Sequence, residues 1–135
     1  MANYRILTEE STESSSDTTL VAVIDGATTL TLSDFYSSIA SSLKFPDYFG
    51  HNLDSFDEMI NDLGWIQEKN IHLIFKNYDD FLTEENDEMR EILLTMLDDA
   101  AMEKKSKEDG VLLEMSIEPS ELAADDLETI GIEFI

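Results

Sequence analysis

Three short, largely apolar runs do most to restrict what this chain can fold into. They span residues 20–24 (LVAVI), 71–75 (IHLIF) and 111–117 (VLLEMSI). Runs of this kind are typical of strands that are buried on both faces, as in parallel sheets covered by helices. Helical patterns fill the intervals between the runs, so the sequence predicts an α/β fold with a mostly parallel sheet and right-handed crossovers.

Three amphipathic segments predict the helices. Ser33 is expected to cap the first helix, and Pro46 is expected to stop it, because a proline disfavours a helical residue before it. Asn52 is expected to cap the second helix, and Gly64 is expected to end it. The third helix is expected from about residue 85 to residue 105.

The two ends of the chain carry weaker signals. Residues 1–19 are predicted to form an N-terminal extension, with a short edge strand at 4–7 and then a flexible, acidic linker rich in Ser and Thr. Residues 20–135 are expected to form one domain, whose extended C-terminal segment includes a fourth strand at 129–135. The predicted fold class is therefore α/β, with a three- to four-stranded, mostly parallel sheet packed against helices.

The charge balance is the extreme feature of the composition. The 135 residues include 31 Asp and Glu against 8 Lys and Arg, which gives a formal net charge of −23, and there is no cysteine. This charge disfavours binding to nucleic acid or anionic membranes and favours rapid encounter with a basic partner, although a need for solubility would also explain it. Disulfides and sulfur-based metal sites are excluded. No segment resembles a signal peptide or a membrane span, so a cytoplasmic protein is expected.

Residues 45–63 form the most distinctive segment. An aromatic loop, in which Pro46 fixes the backbone and Gly50 permits a bend, leads into the second predicted helix. Helical spacing gives this helix an apolar back and an acidic front. The back consists of Leu53, Phe56, Met59, Ile60 and Leu63, and the front consists of Asp54, Asp57, Glu58, Asn61 and Asp62.

Signals for catalysis are weak. The glycine-rich fingerprints of nucleotide-binding loops are absent, and His51 and His72 lack metal-ligating partners at a recognisable spacing. Asp54 and Glu58 share a helix face, which is compatible with acid–base catalysis or with a divalent cation. Catalysis, however, requires a partly desolvated pocket, of which a short amphipathic helix gives no evidence. The sequence is therefore expected to encode neither an enzyme nor a protein that binds a metal or cofactor.

The segment from residue 23 to residue 59 resembles the barstar family of intracellular ribonuclease inhibitors. The most specific part is the motif Pro-acidic-Tyr-aromatic-Gly-x-Asn-Leu-Asp, which reads PDYFGHNLD at residues 46–54. Trp65 fits a tryptophan that follows the same helix in the family, after a small insertion. Beyond Trp65 only the order of strands and helices matches. The resemblance implies a barstar-like fold.

The resemblance also implies a site and a partner. In the family, the acidic helix and the loop before it plug the active site of a basic, secreted ribonuclease or a related toxin. The two inhibitory carboxylates correspond to Asp54 and Glu58, while Asp99, near the end of the third helix, is a looser match. The other predicted partner-binding residues are Tyr48, Gly50, Asn52, Leu53, Asp57 and Trp65. No cofactor, nucleic acid or membrane is implied.

Two departures from the family pattern leave the partner open. Asp57 stands where the type inhibitor has a tryptophan, and Glu58 is one methylene longer than the aspartate of the type inhibitor. These changes alter the charge and the reach of the acidic front. Two hypotheses therefore remain: an inhibitor of a basic ribonuclease, or a barstar-fold adaptor that binds a different basic protein without inhibiting a nuclease.

Overall fold

In the part of the chain that the structure describes, four parallel strands form the central sheet. The computed structural model describes residues 3–6, 19–105 and 111–134. Every pair of neighbouring strands is parallel, and their order across the sheet is β1-β4-β3-β2. The strands are β1 (Tyr4–Ile6), β2 (Thr19–Asp25), β3 (Asn70–Lys76) and β4 (Leu112–Ile117). The predicted α/β fold with a parallel sheet is confirmed.

Four helices connect or follow the strands. They are α1 (Leu32–Ser42), α2 (Leu53–Asp62), α3 (Asp87–Lys105) and α4 (Glu121–Thr129). Single turns of 3₁₀ helix, Gly26–Thr28 and Tyr78–Asp80, lie near the carboxyl ends of β2 and β3. Within the described ranges, no helix is both long and apolar enough to cross a membrane.

The two faces of the sheet differ in burial. Ala22, Leu73 and Met115 lie side by side across three strands and belong to the same core cluster as the buried side chains of the helices. On the opposite face of the sheet, Val23 is 41% exposed and Leu112 is 44% exposed. The prediction of a strand buried on both faces is therefore wrong for β2, and β4 is exposed at residues 112 and 114, whereas β3 is buried at both sets of positions from residue 71 to residue 75.

The first helix begins and ends earlier than predicted. Its N-cap is Thr31 and not Ser33, because Thr31 Oγ accepts from the backbone N–H of Asp34 (3.1 Å) while the Asp34 carboxylate accepts from Thr31 N–H (3.2 Å). This reciprocal pair is a capping box. Pro46 is not what stops the helix. Lys44 takes a left-handed conformation (φ 57°) and Phe45 N–H donates to Ala40 O (2.9 Å), the C-terminal pattern of a Schellman motif.

The C-terminal segment folds differently from the prediction. A helix, α4, occupies most of it, and of the predicted strand at 129–135 only an isolated bridge between Phe134 and Tyr4 is seen. Ser120 caps α4 by accepting from Ala123 N–H (3.1 Å). The pattern of apolar residues does not reveal where this helix begins. The fourth strand of the sheet is β1, as predicted for the N-terminal residues. Of the predicted linker at 8–19, Thr19 begins β2 and the other residues lie outside the described ranges.

A buried ionic network attaches α4 to the rest of the molecule. The Asp126 carboxylate accepts hydrogen bonds from Arg90 Nε (2.8 Å) on α3 and from the Tyr78 hydroxyl (2.7 Å), and all three side chains are almost fully buried. Arg90 also pairs with Asp87 (3.0 Å). Burial, and then the hydrogen bond to Asp126, raise the pKa of Tyr78 well above its usual value of 10, so its hydroxyl remains a donor.

Removal of the Asp126 carboxylate is expected to destabilise the protein strongly. Asp126→Ala leaves the Arg90 guanidinium buried without its main partner, a change that typically costs about 3 to 5 kcal/mol. The free energy of unfolding, measured by urea denaturation, should fall accordingly. Asp125→Ala is the matched control, since Asp125 is exposed on the same helix, and a loss of equal size in this variant would contradict the role given to the network.

Candidate functional site

The loop before α2 is held by aromatic packing and presents one exposed ring. Phe49 is buried and packs edge-to-face on Phe45 (5.0 Å between centroids) and on Tyr36 (5.9 Å). Its backbone N–H donates to Pro46 O (3.0 Å), which closes a turn. Tyr48, inside this turn, is 70% exposed. The loop therefore displays an aromatic side chain from a fixed backbone.

The sharp bend of this loop is at His51 and not at Gly50. His51 adopts a left-handed conformation (φ 51°), and its ring lies 4.7 Å from that of Phe49. The constraint at Gly50 is close approach: a Cβ there would lie 3.0 Å from Asn52 Nδ2 and 3.4 Å from Ser55 Oγ. Contact with α2, rather than an unusual φ, thus restricts position 50.

Helix α2 begins where the sequence predicted and ends one residue earlier. Asn52 caps it, with Oδ1 accepting from Ser55 N–H (2.8 Å), so this prediction is confirmed. The terminating residue is Leu63, which is fully buried and left-handed (φ 54°), and not Gly64. Leucine pays a steric cost in this conformation, which its burial in the core offsets.

The two faces of α2 are separated as predicted. Phe56, Met59 and Ile60 are buried in the core, and Asp54, Asp57 and Glu58 are exposed. Side chains three and four positions apart on a helix have Cβ atoms about 5 to 6 Å from each other. From here on, the name acidic front is used for Asp54, Asp57 and Glu58 alone, the carboxylates on the first two turns of this face. Because the back of the helix is anchored in the core, the front keeps a fixed position relative to the sheet.

Two contacts that the sequence did not reveal involve Asn61 of this helix. Asn61 Nδ2 donates to the backbone oxygen of Asp57 (2.9 Å) and to its carboxylate (3.1 Å). Lys104 reaches from α3 and donates to Asn61 O (3.2 Å), which places a positive charge at the C-terminal end of α2. The only sequence signal for Lys104 was its suitability for the end of its own helix, because a contact across 43 residues leaves no local pattern.

The remaining predicted site residues lie in different settings. Leu53 is half-buried and packs against the core. Trp65 is also partly buried, and its Nε1 donates to Leu43 O (2.9 Å), so it supports the base of the aromatic loop. Asp99 is exposed on α3, and at roughly 3.6 residues per turn it falls on the side away from the buried residues of that helix. That Asp99 contacts a partner protein together with α2 stays a prediction.

The described residues also include a buried histidine and a cavity. His72 is 8% exposed, and its Nε2 lies 2.6 Å from Ser116 Oγ on the neighbouring strand. Within the described ranges, no three His, Asp or Glu side chains are grouped so as to hold a metal ion. A cavity of about 470 Å³ lies at the carboxyl ends of β3 and β4, between residues 77–80 and 118–120, and no predicted site residue lines it.

Removal of the N-cap side chain is expected to weaken α2. Asn52→Ala should reduce the free energy of unfolding by about 1 kcal/mol, because a capping acceptor is lost. Trp65, which is the single tryptophan of the chain, allows the unfolding to be followed by fluorescence. Asn61→Ala serves for comparison: its side chain bonds to Asp57 one turn earlier and satisfies no unpaired backbone N–H, so a smaller loss is expected, and an equal loss would argue against the importance of the cap.

Comparison with known families agrees with this geometry. The model of the family described as barstar (barnase inhibitor) matches residues 19–116 of the 135. The match runs from the start of β2 to near the end of β4 and therefore contains α2 and its loop, whereas β1 and α4 lie outside it. No curated protein sequence matches the chain significantly. With most of its length covered by the family, the chain belongs to the barstar family.

Proposed function

We propose that this protein inhibits a basic ribonuclease by covering the active site of the enzyme with the acidic front and the Tyr48 loop. The observation that carries the proposal is the fixed display of Asp54, Asp57 and Glu58 on a helix whose opposite face is buried in the core. Membership of a family described as barnase inhibitors supports the same function. The partner is a secreted toxin or related nuclease, and the inhibitor acts in the cytoplasm.

The chemistry of the front suits an enzyme that binds phosphates. An RNA-cleaving site must attract phosphate groups, for which proteins use arginine, lysine and protonated histidine. Carboxylates at fixed spacing can occupy the same cationic groups, and arginine binds a carboxylate through two parallel hydrogen bonds. A rigid helix loses little conformational freedom when it binds, so more of the interaction energy appears as affinity.

The overall charge supports rapid capture of such an enzyme. A net charge of −23 generates a negative potential around the protein, which accelerates encounter with a basic partner. Salt screens this attraction, with a Debye length of about 8 Å at physiological ionic strength. The association rate is therefore expected to fall as salt is added, whereas contacts formed after docking depend less on salt.

One feature of the front favours a second candidate function. Asp57 is exposed and its carboxylate accepts from Asn61, so the front presents a third negative charge where the type inhibitor has a tryptophan. A partner that fits the Asp57 carboxylate would have an additional cationic side chain opposite it, in place of an apolar surface. This favours, as the second candidate, an adaptor that binds a basic protein other than a nuclease.

Substitution of the front carboxylates tests the inhibitor function. Barnase serves as the first probe, followed by other basic, secreted ribonucleases, and RNA cleavage is measured as the protein is titrated in. Stoichiometric loss of cleavage is expected with at least one of these enzymes. Asp54→Ala and Glu58→Ala should each weaken inhibition on the order of 10- to 100-fold, because each removes charge-assisted hydrogen bonds.

Two exposed carboxylates away from the front provide the controls. Asp125→Ala and Glu128→Ala on α4 change the net charge by the same amount and leave α2 intact. They should slow association slightly and leave the dissociation rate unchanged. Equal effects at all four positions would contradict the active-site role of the front. Binding to a basic protein with no inhibition of any ribonuclease tested would favour the adaptor.

A further inference from the structure

Three hydrogen bonds form a closed ring between the Tyr48 loop and the first turn of α2. Gly50 N–H donates to Ser55 Oγ (2.8 Å), Ser55 N–H donates to Asn52 Oδ1 (2.8 Å), and Asn52 Nδ2 donates to Gly50 O (3.2 Å). Each of the three residues donates one bond and accepts another. None of them can shift without breaking its bonds to the other two.

The ring lies between the two parts of the proposed inhibitory surface. Tyr48 precedes Gly50 by two residues, and Asp54 directly precedes Ser55. The residue between Tyr48 and Gly50 is the buried Phe49. The ring therefore restrains the backbone that carries Tyr48 relative to the backbone that carries Asp54, the first carboxylate of the acidic front.

We infer that Ser55 is a positioning residue, whose hydroxyl holds the Tyr48 loop in register with the acidic front. The inference rests on the proposed function and deepens it, because it names a residue that contacts no partner in the proposal and yet controls how two contact groups are presented. Because the loop is already ordered in the free protein, a partner can engage the aromatic ring and the carboxylates together. Less conformational entropy is then lost on binding, which increases affinity.

The Ser55 side chain can be separated from the stability of the helix. The capping bond uses the backbone N–H of Ser55, so Ser55→Ala leaves the cap intact and removes only the acceptor for Gly50. Alanine is also a better helix former than serine. If the hydroxyl has no role, Ser55→Ala should leave stability unchanged or slightly higher and binding unchanged. A purely structural role predicts lower stability, whereas a positioning role predicts normal stability with weaker binding.

Amide hydrogen exchange in the free protein provides the first measurement. In Ser55→Ala, the Gly50 amide should exchange at least several-fold faster, while amides in the buried part of α2, such as that of Ile60, keep their protection. Ser55→Thr retains a hydroxyl and should restore slow exchange at Gly50. Ser33→Ala, an exposed serine in the first turn of α1, is the matched control and should change neither amide. Unchanged exchange at Gly50 in Ser55→Ala would overturn the inference.

Binding to barnase, or to whichever ribonuclease of the panel is inhibited, provides the second measurement. Ser55→Ala should raise Kd about 3- to 10-fold, as expected for one lost hydrogen bond, and Ser55→Thr should restore it. The penalty of Tyr48→Ala should be smaller in the Ser55→Ala background, because the loop is already out of register. Full affinity in Ser55→Ala would overturn the inference while leaving the proposed function intact. Failure of the unsubstituted protein to bind any of the nucleases would contradict the proposed function, and the inference with it.

Discussion

The packing of Phe35 against two other aromatic rings is the contact on which the rest of the structure depends. Phe35, on α1, lies edge-to-face against Phe56 of α2 (5.3 Å between centroids) and against Phe81 (6.0 Å) after the second 3₁₀ turn. Phe81 in turn contacts Phe75 of β3 (5.4 Å). One aromatic row thus joins both helices of the first crossover to the sheet. Because the back of α2 is part of this row, burial of apolar area, and not the charge of the front, determines where the carboxylates are held.

Two of the few positively charged side chains are buried and stabilise helices. The chain has 8 Lys and Arg in all, and two of them, Arg90 and Lys104, are buried. Arg90 binds Asp126, and Lys104 reaches the end of α2. Cations that would otherwise lower the negative potential of the surface are therefore used to fix helices. The acidic character of the surface and the stability of the interior depend on the same few residues.

Local patterns predicted the parts of this structure that local interactions decide. The strands at 71–75 and 20–24 followed from β-branched runs, and the start of α2 followed from Asn52 and the spacing of its apolar residues. Left-handed residues such as His51 and Leu63 could not be predicted, because neither side chain specifies that conformation and packing of the surrounding chain imposes it. The same holds for the buried attachment of α4, whose hydrogen bonds join residues 36 and 48 positions apart.

The position of β1 has a consequence for association of this chain with itself. The part matched by the family, 19–116, contains three strands, and with these alone β4 would present an unpaired edge. In the full sheet β1 pairs with β4, and its own outer side carries only three residues, with a bridge from Phe134. A short edge offers few backbone groups to a second sheet. Among the described strands, β2, with seven residues, is then the longer edge. Strand β1 and the Phe134 bridge thus cover the β4 edge, so a second sheet would have to pair with β2, where the net negative charge of each copy would oppose it.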